Sequence, residues 1–242
     1  MSYIRVESLS KRFDTHVLDN VEFTVKKNEF VSIIGPFGSG KSTILRIMSG
    51  LDLSYDGKVE LSEMAPHELK KTAAIGFAFQ QSTLMPWLSA YENITLPCRL
   101  YRKHECNEFD VNNLIEAAGL TRYKHMPVAK LSGGTRQLAS ILRALVLNPK
   151  ILFLDEPFSS IDEISRMRMH DTIKKLHKDN QITTLMVTHS IHEAVVLSDK
   201  VLVLGGLPAT IMHEIDTRKA TKDNPKELVG KTDLLMRVLV DA

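Results

Sequence analysis

The sequence predicts an α/β domain built on a mainly parallel sheet, with a helical subdomain inserted into it. Short apolar runs alternate with helical stretches, the βαβ pattern of parallel strands. The run FVSIIG leads straight into GPFGSGKST, a junction that reads as strand, tight turn and helix. Between about Ser82 and Pro149 the alternation stops and the chain reads mostly helical.

Taken in order, apolar segments mark strands at Tyr3–Leu9, Val21–Val25 and Glu29–Ile34, and a helix opens at Lys41 and runs to Met48. A strand at Ala73–Phe79 follows. The stretches SAYENITLPCRLY, FDVNNLIEAAGL and GGTRQLASILRALVL then form the inserted helical part, about 82–148. Apolar runs return at Lys150–Leu154, Thr183–Thr188 and Lys200–Leu204, and complete a core of about 1–81 and 149–215. The tail 216–242 is expected to end in one short amphipathic helix without a further domain. No internal repeat or low-complexity segment is visible.

Composition narrows the function classes. With 242 residues, 43% hydrophobic and 25% charged, the chain can bury a sizeable core as a single domain. A net charge of +2 with both signs interspersed gives no basic stripe, so no nucleic-acid partner is expected. Cys98 and Cys106 have neither a metal-type spacing nor a disulfide framework, so a reducing cytoplasmic compartment is the simplest reading, with a redox pair as the alternative. The start MSYIRVESLSKRF has no secretory apolar region, and no run approaches the roughly 18 residues of a membrane span.

The nine residues Gly35, Pro36, Phe37, Gly38, Ser39, Gly40, Lys41, Ser42 and Thr43 match the pattern G-x-x-x-x-G-K-[ST] in full. Glycines let successive N–H groups approach a phosphate, and the helix start adds partial positive charge. Lys41 is then expected on the β/γ-phosphates and Ser42 on Mg²⁺. In ILFLDEP, Asp155 ends a buried apolar strand, where a carboxylate is costly unless it works, here on Mg²⁺ directly or through water. Glu156 is placed to orient an attacking water. His189, after ITTLMV, is expected beside the γ-phosphate; with His192 and Glu193 it does not form the H-E-x-x-H zinc spacing.

LSGGTRQ holds a second helix start with a hydroxyl and bare backbone, Ser132, Gly133 and Gly134. One chain thus carries two anion sites. The economical arrangement is two copies meeting head to tail, each nucleotide lying between one phosphate loop and the other Ser-Gly-Gly start; the plainer reading is a capped helix.

GPFGSGKST, FQQ, LSGGTRQ, ILFLDEP and THS, in this order and spacing, resemble the ATP-binding cassette ATPases over nearly the whole chain. The resemblance implies a P-loop NTPase with a RecA-like core, an N-terminal antiparallel β subdomain and an inserted helical subdomain, hydrolysing ATP with Mg²⁺. It implies that Phe13 stacks on adenine, that Gln80 meets Mg²⁺ and the water, and that Asp162 of SSID lies in a dimer-crossing loop; the blander roles are core for Phe13 and helix cap for Asp162. It also implies a homodimer or paired cassette, a separate transmembrane permease, and a substrate-binding protein, placing the chain at the cytoplasmic face of the inner membrane. STLMPWLSAYENITLP, with Pro86 and Trp87 after the glutamine, is similar to importers of the nitrate, sulfonate and taurine type, where this surface receives the permease. Subdomain packing is the other reading of Trp87. A soluble ATPase of iron–sulfur cluster assembly and an exporter-type ATPase are the alternative functions.

Overall fold

Alternation of buried and exposed residues along β1 (Ser2–Arg12) and β2 (His16–Lys26) pairs them antiparallel with one face covered. Along the chain follow β3 (Phe30–Ile34), α1 (Lys41–Met48), β4 (Asp56–Leu61), α2 (Pro66–Lys70), β5 (Ile75–Ala78), α3 (Ala90–Ile94), α4 (Leu96–Leu100) and α5 (Glu108–Ala117). Then come α6 (Gly133–Leu145), β6 (Ile151–Asp155), α7 (Glu163–Asp179), β7 (Thr183–Val187), α8 (Ile191–Leu197), β8 (Lys200–Gly205), β9 (Thr210–Asp216) and α9 (Pro225–Val240). The computed structural model describes residues 2–101, 106–159, 161–220 and 224–240. They fall into two units, 1–72 with 183–242, and 73–182.

In the first unit β1 is the middle strand of an antiparallel sheet of order β2-β1-β4. The same unit holds strands in the order β7-β3-β8-β9, where β3 runs parallel to both β7 and β8, and β9 closes antiparallel on β8. Every residue of β3 and β7 is buried, as continuous apolar runs in parallel strands require. The tail helix α9 docks through Leu235 on a cluster that includes Ala194, Val195, Val201 and Val203. The strands β4 (DGKVEL) and β9 (TIMHEID) lack long apolar runs and were not predicted. Each is an edge of its strand set within this unit, where polar residues face solvent and a sequence signal is weak.

In the second unit β5 and β6 pair in parallel, Ile75 opposite Ile151 and Ala78 opposite Leu154. The predicted helical stretch SAYENITLPCRLY forms two short helices that meet at Thr95. Pro97 lacks the N–H that would continue α3 into α4. Ser89 caps α3 in a reciprocal box, accepting from the Glu92 N–H at 3.3 Å while its own N–H donates to the Glu92 carboxylate at 2.8 Å. Cys98 and Cys106 are joined in a disulfide with Cα atoms 5.6 Å apart, the pairing that the simplest reading of the sequence did not favour. A spacing of eight residues identifies no pairing by itself; the fold places the two Cα atoms within bridging distance.

Asn93, fully buried on α3, holds the segment before that helix. Its Oδ1 accepts from the Met85 N–H at 2.7 Å, and its Nδ2 lies 3.1 Å from Met85 O, 3.0 Å from Ser89 O and 3.4 Å from Leu88 O. Asn93→Ala leaves these backbone groups without their partner and is expected to lower stability by about 2 to 4 kcal/mol, measured by urea unfolding.

Candidate functional site

The turn from β3 to α1 is shaped by what it cannot contain. A Cβ on Gly35 would lie 2.2 Å from the Leu204 carbonyl oxygen of β8, so no other residue fits there without moving a strand. Gly40, at φ 88°, takes a left-handed conformation, and a Cβ there would press on Leu18 and Val17 at 2.8 and 2.9 Å. No side chain caps α1, and a helix start of this kind suits an anion. The Lys41 ammonium, almost fully buried, donates to the carbonyls of Gly35 (3.0 Å) and Pro36 (2.7 Å) and so spans the loop. The buried Ser39 hydroxyl has no hydrogen-bond partner, an orphan that a phosphate oxygen would satisfy. Ser42 and Thr43 follow on the first turn of α1. Phe37 at the loop's outer edge is fully exposed, and Gly38 beside it has open space around it.

The first unit also carries Phe13 and His189. Phe13 is 55% exposed, which removes the core reading. Its ring lies 4.6 Å from the ammonium of Lys11, a buried residue of β1 that is ion-paired with Asp52 at 2.8 Å. Burial opposes ionisation of Asp52, but the hydrogen bonds from Lys11 and the Ser54 N–H outweigh it and hold the carboxyl below its ordinary value. Neither Lys11 nor Asp52 was singled out by sequence. His189 follows β7 and is exposed, while Glu193, one turn into α8, is buried and bonded to the Thr188 hydroxyl.

The second unit brings together Gln80, Asp155 and Glu156. Asp155 ends β6 and is 9% exposed. Glu156 has φ 43°, a strained conformation for a residue with a Cβ, and accepts from Gln80 Nε2 at 3.0 Å. That bond commits the amide nitrogen and leaves the Gln80 amide oxygen as the donor for a cation. Helix α6 fixes the flanking backbone: Gln137 donates to Phe79 O at 3.0 Å, and Arg143 to Thr83 O at 2.9 Å and Thr83 Oγ1 at 2.8 Å. Burial pulls the Arg143 guanidinium below its ordinary pKa. Ser132 caps α6, accepting from the Thr135 N–H at 3.2 Å, so its hydroxyl works locally beside Gly133 and Gly134. Asp162 likewise caps α7, accepting from the Ser165 N–H at 3.0 Å, which holds its carboxyl below the usual value. Ser160 of the same loop lies outside the described residues.

A β-strand, a lysine-bearing glycine turn and an uncapped helix define a P-loop nucleotide-binding protein. The family model for ABC transporters matches residues 18–159. The aliphatic sulfonates import ATP-binding protein SsuB 2 of Pseudomonas syringae pv. tomato is 40% identical over 216 residues, covering 88% of this chain and 85% of the relative. An uncharacterized ABC transporter ATP-binding protein of Methanocaldococcus jannaschii is 34% identical over 247 residues, covering 98% and 91%. Among solved structures, a dimeric ATP-binding cassette bound to ADP and Pi aligns with a TM-score of 0.77 and 30% identity, covering 89% of this chain and 99% of that one. The chain belongs to the ABC transporter family, and it is an ATP-hydrolysing cassette.

Lys41→Ala is expected to weaken ATP binding by at least tenfold in calorimetry. Glu156→Gln is expected to keep ATP affinity within about threefold while steady-state phosphate release falls by about three orders of magnitude or more.

Proposed function

We propose that this chain is the ATPase subunit of an importer, peripheral to the cytoplasmic face of the inner membrane, and that it drives a separate permease for a small sulfonate-type anion delivered by a substrate-binding protein. The observation that carries the reading is the 40% identity to an aliphatic sulfonates import ATP-binding protein over 85% of that relative's length. Nitrate and taurine are the neighbouring substrate chemistries. Among the described residues no helix is long and apolar enough to cross a membrane.

In this reading the phosphate loop binds the triphosphate, Lys41 neutralises it and Phe13 stacks on adenine. Ser42 in the first unit, and Gln80 and Asp155 in the second, carry hydroxyl, amide and carboxylate oxygens, the hard donors that suit Mg²⁺, which would add charge neutralisation at the phosphates. Glu156 orients the water and His189 the γ-phosphate side. Ser132, Gly133 and Gly134 serve the nucleotide of a second copy, with Asp162 in the loop between copies; the dimeric cassette relatives support this.

Trp87 is the surface residue best suited to the permease. It is 75% exposed, which argues against subdomain packing, and the Asn93 hydrogen bonds to Met85, Leu88 and Ser89 hold its segment. Beside it a hollow of about 780 Å³ is lined by Gln80, Leu84, Pro86, Val128 and Arg136. A partner seated there touches the segment that carries Gln80.

Two outcomes are expected. In a Glu156→Gln background ATP should convert monomer to dimer in light scattering, and Ser132→Arg should abolish that shift; a Ser132→Arg protein that still dimerises refutes the head-to-tail pairing. Trp87→Ala should leave ATP affinity and the thermal midpoint unchanged while weakening association with the co-expressed permease by about 2 kcal/mol or more, measured by surface binding of detergent-solubilised complex. Earlier unfolding with unchanged association would return Trp87 to a packing role.

A further inference from the structure

The buried residues of β1 are Ile4, Val6, Leu9 and Lys11. A lysine in that series is 4% exposed, on the inner face of a strand where an apolar residue would cost nothing. Its ammonium has three partners. It donates to the Asp52 carboxylate, 2.9 and 2.8 Å from the two oxygens, and to the Ser54 carbonyl, and it faces the Phe13 ring at 4.6 Å from the centroid. The first two neutralise and solvate the charge. The third contact is with a ring that is more than half exposed and contributes little to any core.

Asp52 is itself anchored at both ends. Its N–H donates to Arg46 O, on the last turn of α1, at 3.2 Å, and its carboxylate accepts from the Ser54 N–H at 3.0 Å, closing a tight turn. Helix α1 begins at Lys41, directly after the phosphate loop. A continuous set of contacts within the first unit therefore runs from the Phe13 ring through the Lys11 ammonium and Asp52 to the helix that carries the phosphate loop.

We propose that Lys11, locked in place by Asp52, is a positioning residue for nucleotide binding: it holds the Phe13 ring at a set place relative to the phosphate loop, so that base and triphosphate are bound in one register. This rests on the reading of Phe13 as the adenine platform. A cation over one part of the ring attracts its negative π face and restrains a side chain that is more than half exposed, while the exposed part of the ring is left to a flat, neutral base. A preorganised ring loses less freedom on stacking than a mobile one, and the gain appears only for ligands that have a base.

The test compares ATP with inorganic tripolyphosphate, which lacks base and ribose, by calorimetry on the full chain. The variants are Phe13→Ala, Lys11→Met, their combination, and Lys11→Met with Asp52→Asn, in which no unpaired charge is left buried. Phe13→Ala and Lys11→Met are each expected to weaken ATP about 3- to 10-fold, to leave tripolyphosphate within about 2-fold, and to be no worse together than Phe13→Ala alone. If Lys11→Met binds ATP like the parent while Phe13→Ala does not, the role of Lys11 is overturned and the adenine platform stands. If Phe13→Ala binds ATP like the parent, the platform falls and this inference with it. Equal losses for ATP and tripolyphosphate, or failure of both Lys11→Met and the charge-free pair to fold, assign Lys11 a structural role only and overturn the proposal.

Discussion

The approach of Gly35 to the carbonyl of Leu204 is the contact on which the nucleotide end of the first unit depends. With a Cβ 2.2 Å from a main-chain oxygen excluded, β8 closes against the first residue of the loop, and β3 delivers its backbone to the turn without a side chain in the way. After that residue the Lys41 ammonium bonds two loop carbonyls, and the Gly40 backbone passes too close to Leu18 of β2 to carry a side chain. The antiparallel sheet and the parallel strands of this unit thus meet the phosphate loop from two sides, which explains why a rigid anion cradle needs so few polar side chains of its own.

The second unit follows a different rule. The residues read as functional there lie on a strand end and a loop, and α6 holds their surroundings, its Gln137 and Arg143 binding the backbone on either side of Gln80. The left-handed backbone of Glu156 is strain that the buried β6 strand before it over-determines. The same helix begins at Ser132, so one rod links the residues read as facing a second copy with those that fix the Gln80 segment.

The sequence made the central strands, the phosphate loop, the Asp155–Glu156 pair and the two capped helix starts legible, because each rests on local pattern: a continuous apolar run, a glycine turn, a hydroxyl or carboxylate before a helix. It concealed what depends on register and on partners distant in the chain. Lys11 is the clearest case. Strict alternation from Ile4 and Val6 would turn residue 11 outward, but Ser8, at φ 47°, and the register shift around it reverse the parity, so that Leu9 and Lys11 point inward. Asn93 was hidden for a related reason, since an asparagine inside a helix announces nothing until the backbone it holds is folded around it. The disulfide needed the two cysteines to be brought together by the fold, and β4 and β9 needed their neighbours.

Asn93 also gives the molecule a useful optical property. The chain has a single tryptophan, and Trp87 stands on the segment that this asparagine latches, three-quarters open to solvent. All indole emission therefore originates from one spot on one face, free of the background that interior tryptophans impose. The wild-type chain carries its own spectroscopic label at the surface where a membrane partner is read to dock, so occupancy of that surface can be followed without attaching a dye.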